Sequence, residues 1–304
     1  MRARRIQPNV LTGIALTVAA VCTFAVLDSM GKWLSQTYPV PMVAWARYAF
    51  NVLILLVWLG PRRGARLWAT RAPRLQWVRG AALVGSTLLM LSGLSRMPLA
   101  EASAITFVGP VLITVASVRL LGETAPRGTA WALAASLAGV LLIVRPGAEV
   151  FSWAALLPLG SACCYAVYQV LTRRLTGVDD PMATLFLGSA LGAAVLTCVA
   201  PFAWRWPLEA WWHAPVFVAL GAVGTAGHGL LIRALHHAPA STVAPFTYFQ
   251  LVAALGLGWL VFGQLPDGWA LAGMALVSAT GLAMAVRQRQ AAAARPDAPD
   301  GSSP

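Results

Sequence analysis

The chain has 304 residues, of which 59% are hydrophobic and 11% charged, and its mean hydropathy is +0.71. That leaves too little polar surface to cover a water-soluble globule, so the composition places the chain in a bilayer. A formal charge of +12 would suggest nucleic acid in a soluble protein, but here the arginines stand between apolar runs instead of forming a basic stripe, which argues against that partner.

Taken in order, the basic start Met1 to Arg5 precedes an apolar run and could mimic a secretory signal, but nine more such runs follow. The first is therefore read as an uncleaved span. The ten predicted spans are 10–34, 41–59, 77–95, 98–121, 129–145, 152–172, 181–203, 214–235, 239–263 and 268–286. As helices of about 20 residues they can cross a hydrocarbon core of about 30 Å. Arg96 and Met97 leave room only for a tight turn between spans three and four, and Pro98 then starts a helix at no cost in hydrogen bonds. Cys22, Cys163, Cys164 and Cys198 lie inside apolar runs without C-x-x-C spacing, which argues against a disulfide framework or a zinc site. The segment from Ala291 to Pro304 has no apolar period and is expected to be a disordered tail.

The second half repeats the first. Leu94 to Pro98 falls on Leu235 to Pro239, Thr106 and Phe107 on Thr247 and Tyr248, and Leu121 and Gly122 on Phe262 and Gly263, all at an offset of 141. Upstream at the same offset, Phe24 falls on Tyr165, Asp28 on Gln169 and Lys32 on Arg173. After one inserted residue, Gly139 to Arg145 falls on Gly281 to Arg287. A duplication of this length sets the architecture in which every other residue is read. Residues 1–147 form the first repeat and 148–290 the second.

Short cytoplasmic loops collect Lys and Arg. Arg2, Arg4, Arg5, Arg62, Arg63, Arg66, Arg71, Arg74, Arg79, Arg119, Arg127, Arg173, Arg174, Arg233, Arg287, Arg289 and Arg295 come out on one side. Only Lys32, Arg96, Arg145 and Arg205 lie toward the other. Both termini are then cytoplasmic. Because each half has an odd number of spans, the repeats are inverted, as in many secondary transporters that alternate access around a midplane site.

Gly122 and Glu123 after span four, the Gly139 to Leu142 run of span five, and their partners Gly263, Gln264, Gly281 and Leu282 give the chain its resemblance to the EamA family of the drug/metabolite transporter superfamily. Asp28 to Trp33, followed by Arg47, also resembles a bacterial subgroup of that family. Gln264 departs from the glutamate usual at the second copy. The resemblance implies an all-α, ten-helix carrier of the inner membrane and leaves its substrate open.

An ionisable group at membrane depth costs about 2.5–3.5 kcal/mol, so it asks for a partner or a function. Asp28 in span one lies roughly 8 Å from the span's outer end, and Arg47 lies at similar depth in span two. An ion pair is expected, with Lys32 one turn above Asp28 able to share it. Such a pair is either a structural clamp or part of a substrate site or gate. Glu101 opens span four, where the helix dipole favours a carboxylate; capping and a site role are both open. His228 in mid-membrane is either a hydrogen-bonded bundle residue or a carrier of a coupling proton. Tyr165, Tyr168 and Gln169 of span six, with Thr247, Tyr248 and Gln250 of span nine, suit a pocket for a small amphipathic metabolite, although tyrosine also anchors interfaces. Gly109 and Pro110, and Pro245 in the other half, should break their helices at related levels. The Gly188 and Gly192 pair reads as close helix packing.

The sequence thus describes a secondary transporter of a small metabolite, such as an amino acid, vitamin or nucleoside-like solute, working by alternating access. Coupling to protons or to exchange is left open, and neither a cofactor nor a metal is implied. A passive channel is the alternative, and a polytopic membrane enzyme is a weaker one, since no nucleophile with a base and no H-E-x-x-H pattern is present. The absence of a Walker A pattern argues against ATP-driven transport within the chain.

Overall fold

Several helices start or stop at a proline or glycine, among them Pro73, Gly109, Gly122, Pro181 and Gly263. The computed structural model describes residues 10–122, 128–145, 152–175, 177–238 and 244–293. Glu123, Thr242, the boundary between the two repeats at 147 and 148, and the tail from 294 onward lie outside them. The described helices are α1 (Val10–Thr37), α2 (Val40–Arg63), α3 (Pro73–Leu94), α4 (Leu99–Thr106), α5 (Gly109–Leu121), α6 (Thr129–Val144), α7 (Leu156–Leu175), α8 (Pro181–Ala203), α9 (His213–His237), α10 (Phe249–Phe262) and α11 (Gly268–Ala293). Short 3-10 turns occupy Gly64–Trp68, Trp153–Ala155 and Ala244–Tyr248, and no strand occurs among the described residues.

Seven helical stretches are long and apolar enough to cross a membrane, with α4 and α5 forming one of them, Leu99–Leu120. Shorter apolar helices cover Ala130–Val144, Phe246–Phe262 and Gly268–Met284. The chain is an all-helical, multi-pass membrane protein.

The expected helix breaks are present. Span four stops at Thr106, turns through Phe107 and Val108 on hydrogen bonds to Ala104 and Ile105, and restarts at Gly109. Pro110 follows at the second helical position, where its missing N–H is harmless. In the second half, Pro245 sits in the 3-10 turn that precedes α10. Gly122 and Gly263, repeat counterparts, both terminate their helices in the left-handed region, at φ +69° and +64°. At the second of these the backbone N–H of Gln264 donates to the Gly258 carbonyl at 3.0 Å and that of Gly263 to the Trp259 carbonyl at 2.9 Å, satisfying carbonyls the helix would leave open.

The main helix contacts are α1 with α9 and α10, α2 with α8 and α9, α3 with α7 and α8, α5 with α7, and α6 with α11. If each helix is replaced by its counterpart under the sequence repeat, this set returns itself: α1 on α9 becomes α7 on α3, α1 on α10 becomes α7 on α5, and α2 on α9 becomes α8 on α3. The other two pairs, α2 on α8 and α6 on α11, map onto themselves. Small residues allow these approaches. A Cβ on Gly139 would lie 2.9 Å from the Gly273 carbonyl oxygen, and one on Gly192 would lie 2.6 Å from the Tyr48 ring, so α6 meets α11 and α8 meets α2 nearly backbone to neighbour.

Candidate functional site

A cavity of about 830 Å³ runs from the middle of the bundle to its arginine-rich end. Phe24 of α1, Tyr165, Tyr168 and Gln169 of α7, and His228 of α9 form its inner part; Arg66, Arg71, Asp179 and Asp180 lie at its mouth. Phe24 and Tyr165, counterparts in the repeat, thus line one space. The His228 ring meets the Phe24 ring edge to face at 5.0 Å, and Tyr165 stacks on Tyr168 at 5.6 Å.

Arg79 is the residue that sequence reasoning missed. The sequence pattern places it as one more arginine of the basic side, yet it is among the largest fully buried side chains, at 2% exposure, and lines the cavity. Its guanidinium lies 4.7 Å from the centre of the Tyr168 ring. Its Nε donates to Thr172 Oγ1 at 2.8 Å, Nη1 to Gln76 Oε1 at 3.2 Å and to the Thr184 carbonyl at 3.0 Å, and Nη2 to the Tyr168 hydroxyl at 3.1 Å. The available signal was its place two residues inside the apolar run 77–95, one turn after Gln76.

The mouth is held by carboxylates of the α7–α8 connection. Asp180 caps α8, accepting from the backbone of Met182 and Ala183, and pairs with Arg63 at 2.5 Å. The Arg63 guanidinium keeps its carboxyl below the usual range. Asp179 accepts from the Arg71 backbone at 2.8 Å, the Thr70 hydroxyl at 2.5 Å and Gln76 Nε2 at 2.9 Å. Partial desolvation pushes its carboxyl up, but these hydrogen bonds outweigh it and hold the group below its ordinary value.

Deeper in the bundle, the expected Asp28–Arg47 ion pair is not formed. Asp28 Oδ2 instead accepts from Gln250 Nε2 of α10 at 3.3 Å. Arg47 lies within electrostatic reach of Asp28, Tyr48 and His228, but no carboxylate among the described residues approaches it closely enough to pair. The reason is the packing of α1 between α9 and α10, which gives Asp28 a donor from α10.

Lys32 does not share Asp28 either, and it does not reach toward solvent. It is 3% exposed, and its Nζ donates to the carbonyl oxygens of Leu94 and Met97, each at 2.8 Å, with the Phe262 ring 5.2 Å away. A cation on the open Leu94 carbonyl at the end of α3 and the Met97 carbonyl of the turn after it is matched to their lone pairs and, at Leu94, to the helix dipole. Glu101, in the first turn of α4, makes no capping hydrogen bond; Pro98 is the residue before the helix. Lys32, Arg145 and Asp267 are its charged neighbours. Arg145 pairs with Asp267 at 2.5 Å, so this end carries its own charged cluster, distant from the cavity.

Of the span-nine residues, Gln250 joins Asp28, while Tyr248 packs elsewhere: its ring lies 4.9 Å from that of Phe107, its hydroxyl has no hydrogen-bond partner among the described residues, and that hydroxyl is pressed against Gly281 of α11. Thr247 precedes it in the same 3-10 turn. The predicted site residues therefore fall into four groups. Tyr165, Tyr168, Gln169 and His228 line the cavity; Asp28, Arg47 and Gln250 lie near one another on α1, α2 and α10; Lys32 and Glu101 belong to the opposite end. Thr247 and Tyr248 stand apart at the break of span nine. No cluster of three or more His, Cys, Asp or Glu side chains suited to a metal occurs among the described residues.

The sequence profile of the EamA-like transporter family matches the chain twice, over residues 11–145 and 152–286. The pseudopaline exporter CntI of Pseudomonas aeruginosa is 30% identical over 271 residues, covering 88% of this chain and 93% of that protein. A riboflavin transporter of Rhizobium johnstonii is 26% identical, covering 91% of this chain and 92% of its own, and an S-adenosylmethionine uptake transporter of Rickettsia conorii is 24% identical, covering 92% and 95%. A protein of known crystal structure shares the fold, with a TM-score of 0.61 at 21% identity over 92% of this chain and 97% of that one. With two profile matches that together span nearly all of the apolar chain, the protein belongs to the EamA-like transporter family of the drug/metabolite transporter superfamily.

Proposed function

We propose that the protein is a secondary carrier that moves a small metabolite across the bacterial inner membrane by alternating access between two inverted five-helix halves, residues 1–147 and 148–290, with both termini cytoplasmic. The single observation that carries this reading is the one-ended cavity. Its polar lining reaches the arginine-rich end through Arg66, Arg71, Asp179 and Asp180. At the other end the helices are tied together: Lys32 holds the α3–α4 turn, Tyr38 and the His213 Nδ1 hydrogen-bond at 2.6 Å, and Arg205 donates to the Thr37 carbonyl at 2.6 Å. A carrier needs a site that meets one side at a time, whereas a channel needs a path open to both.

The self-mapping set of helix contacts supports the inverted repeat, because an exchange of conformations between halves requires that each contact have a counterpart. Ten apolar segments, seven long and three short, support the span count. The named relatives include an exporter, a riboflavin transporter and an uptake transporter for S-adenosylmethionine, which supports a small organic solute and leaves direction unassigned. Asp28 and His228 are the membrane-depth groups placed to exchange a proton if transport is proton-coupled.

Counterflow in proteoliposomes tests the reading. Unlabelled substrate inside the vesicles should accelerate entry of labelled substrate above its equilibrium level; simple equilibration without overshoot would favour the channel. Reporters fused after Arg74 and at the C-terminus should both read cytoplasmic, and one in the Trp204 to His213 segment periplasmic.

A further inference from the structure

The charge of the cavity is unbalanced. All the groups that accept from the buried Arg79 guanidinium are neutral: Thr172, Gln76, the Thr184 carbonyl and Tyr168. Asp179 reaches it only through Gln76, and is itself occupied by Thr70 and Arg71. Asp180 is taken by Arg63, and Asp28 by Gln250. Arg66 and Arg71 add positive charge at the mouth. A cation that is 2% exposed and has no carboxylate against it among the described residues is costly in a bundle, and a bound anion would relieve that cost.

A second observation is independent of that count. The Tyr168 hydroxyl accepts from Arg79 Nη2, so its own proton needs an acceptor, and none among the described residues takes it. A hydroxyl that accepts from a guanidinium is polarised into a stronger donor, and the complement of such a donor is an oxyanion. Beside it, the Tyr165 ring is stacked on Tyr168 and 39% exposed, with Phe24 on another wall of the cavity. These faces suit a planar group.

We propose that the transported substrate is an organic anion, with a carboxylate or phosphate group held at Arg79 and the Tyr168 hydroxyl and a planar ring lying against Tyr165 and Phe24. This rests on the carrier reading above for the word transported, but not for the binding site.

The test uses the full chain purified in detergent and four compounds that share one ring: benzoate, phenyl phosphate, benzamide and benzylamine, each at equal ionic strength. At on the order of 10 mM, at least one of the two anions should raise the unfolding temperature, with an apparent affinity about tenfold or more above that of benzamide, and benzylamine should give no shift. Phenyl phosphate against benzoate tells which oxyanion fits better. Tyr168→Phe keeps the ring but removes the donor, and should lower the anion-to-amide affinity ratio about tenfold; because the ratio is taken within each variant, a general loss of stability does not mimic it. Should that variant not fold, raising the salt on the wild-type chain should still weaken the anion and leave benzamide unchanged. Equal or tighter binding of benzamide or benzylamine, or no shift with either anion, would overturn the proposal. Counterflow with the labelled anion separates the two readings: binding without counterflow removes the carrier and keeps the anion site, whereas counterflow that favours the neutral or cationic compound keeps the carrier and removes the anion site.

Discussion

Phe107 and Tyr248 stand 141 residues apart, occupy the same position in the two halves of the sequence repeat, and touch, with ring centroids 4.9 Å apart and planes 31° from parallel. Two counterparts can meet only where the operation that exchanges the halves leaves space nearly unmoved. Under the proposed inverted repeat, the axis passes between these rings. Both lie where their spans are broken, at the turn after α4 and the 3-10 turn before α10.

Tyr248 also limits what can stand at Gly281, where a Cβ would overlap the tyrosine hydroxyl. Gly281→Ala should cost roughly 1–3 kcal/mol through overpacking. Thermal unfolding in detergent should show a lowered midpoint, partly restored in the double variant with Tyr248→Phe, which removes the overlapping oxygen. Unchanged stability in the single variant would mean that α11 shifts freely at this crossing.

Lys32→Met keeps the length of the side chain and removes its charge and donors. Two carbonyls, those of Leu94 and Met97, then lose the Nζ donor they share, at a cost of roughly 1–3 kcal/mol for each one left unsatisfied. The expected result is a lower unfolding temperature together with increased accessibility of cysteines introduced at the closed end. Lys32→Arg should not restore the wild-type behaviour, because a planar fork does not replace a compact ammonium seated between two carbonyls.

The separation of Asp28 from Arg47 changes what a double-mutant cycle should show. With Asp28 hydrogen-bonded to Gln250 and Arg47 lacking a close carboxylate, the two are not a self-contained clamp. Arg47 does not line the cavity but lies within electrostatic reach of His228, which does, so Arg47→Gln should weaken binding of an anionic substrate only about twofold, and adding Asp28→Asn should not restore it. Full recovery of affinity in the double variant, with folding verified for each, would make the pair structural and assign Arg47 no influence on binding.

Asp179 gives a pH-dependent contribution whose sign is set by its hydrogen bonds. Its folded value lies below the ordinary 3.8, so the contribution is complete above about pH 3.8 and lost as pH falls through the lower folded value. At pH 6, Asp179→Asn should lower the unfolding temperature by about 2–4 °C. That gap should close on acidification below pH 3.8; a gap that persists at the lowest accessible pH would assign the effect to packing instead of charge.

The sequence by itself determined the class of the molecule, its duplication and the level of its breaks, because these depend on quantities that are local or additive. Apolar length decides whether a helix can cross a membrane, Pro110 and Pro245 lack a backbone N–H and so favour the start of a helix over its interior, and Gly122 and Gly263 reach φ +69° and +64° because they lack a Cβ. Tertiary structure alone decided the partners of the buried charges. Spacing places Asp28 near the level of Arg47, but the packing of α1 between α9 and α10 gives Asp28 to Gln250, and Lys32 turns to the α3–α4 carbonyls instead of to Asp28. Arg79 looks in the sequence like any basic residue at the edge of a span. Only the packing of α3 against α7 and α8 surrounds it with Thr172, Tyr168 and Thr184, because a side chain of that length meets whatever the neighbouring helices present, and their rotation is not encoded in any single apolar run.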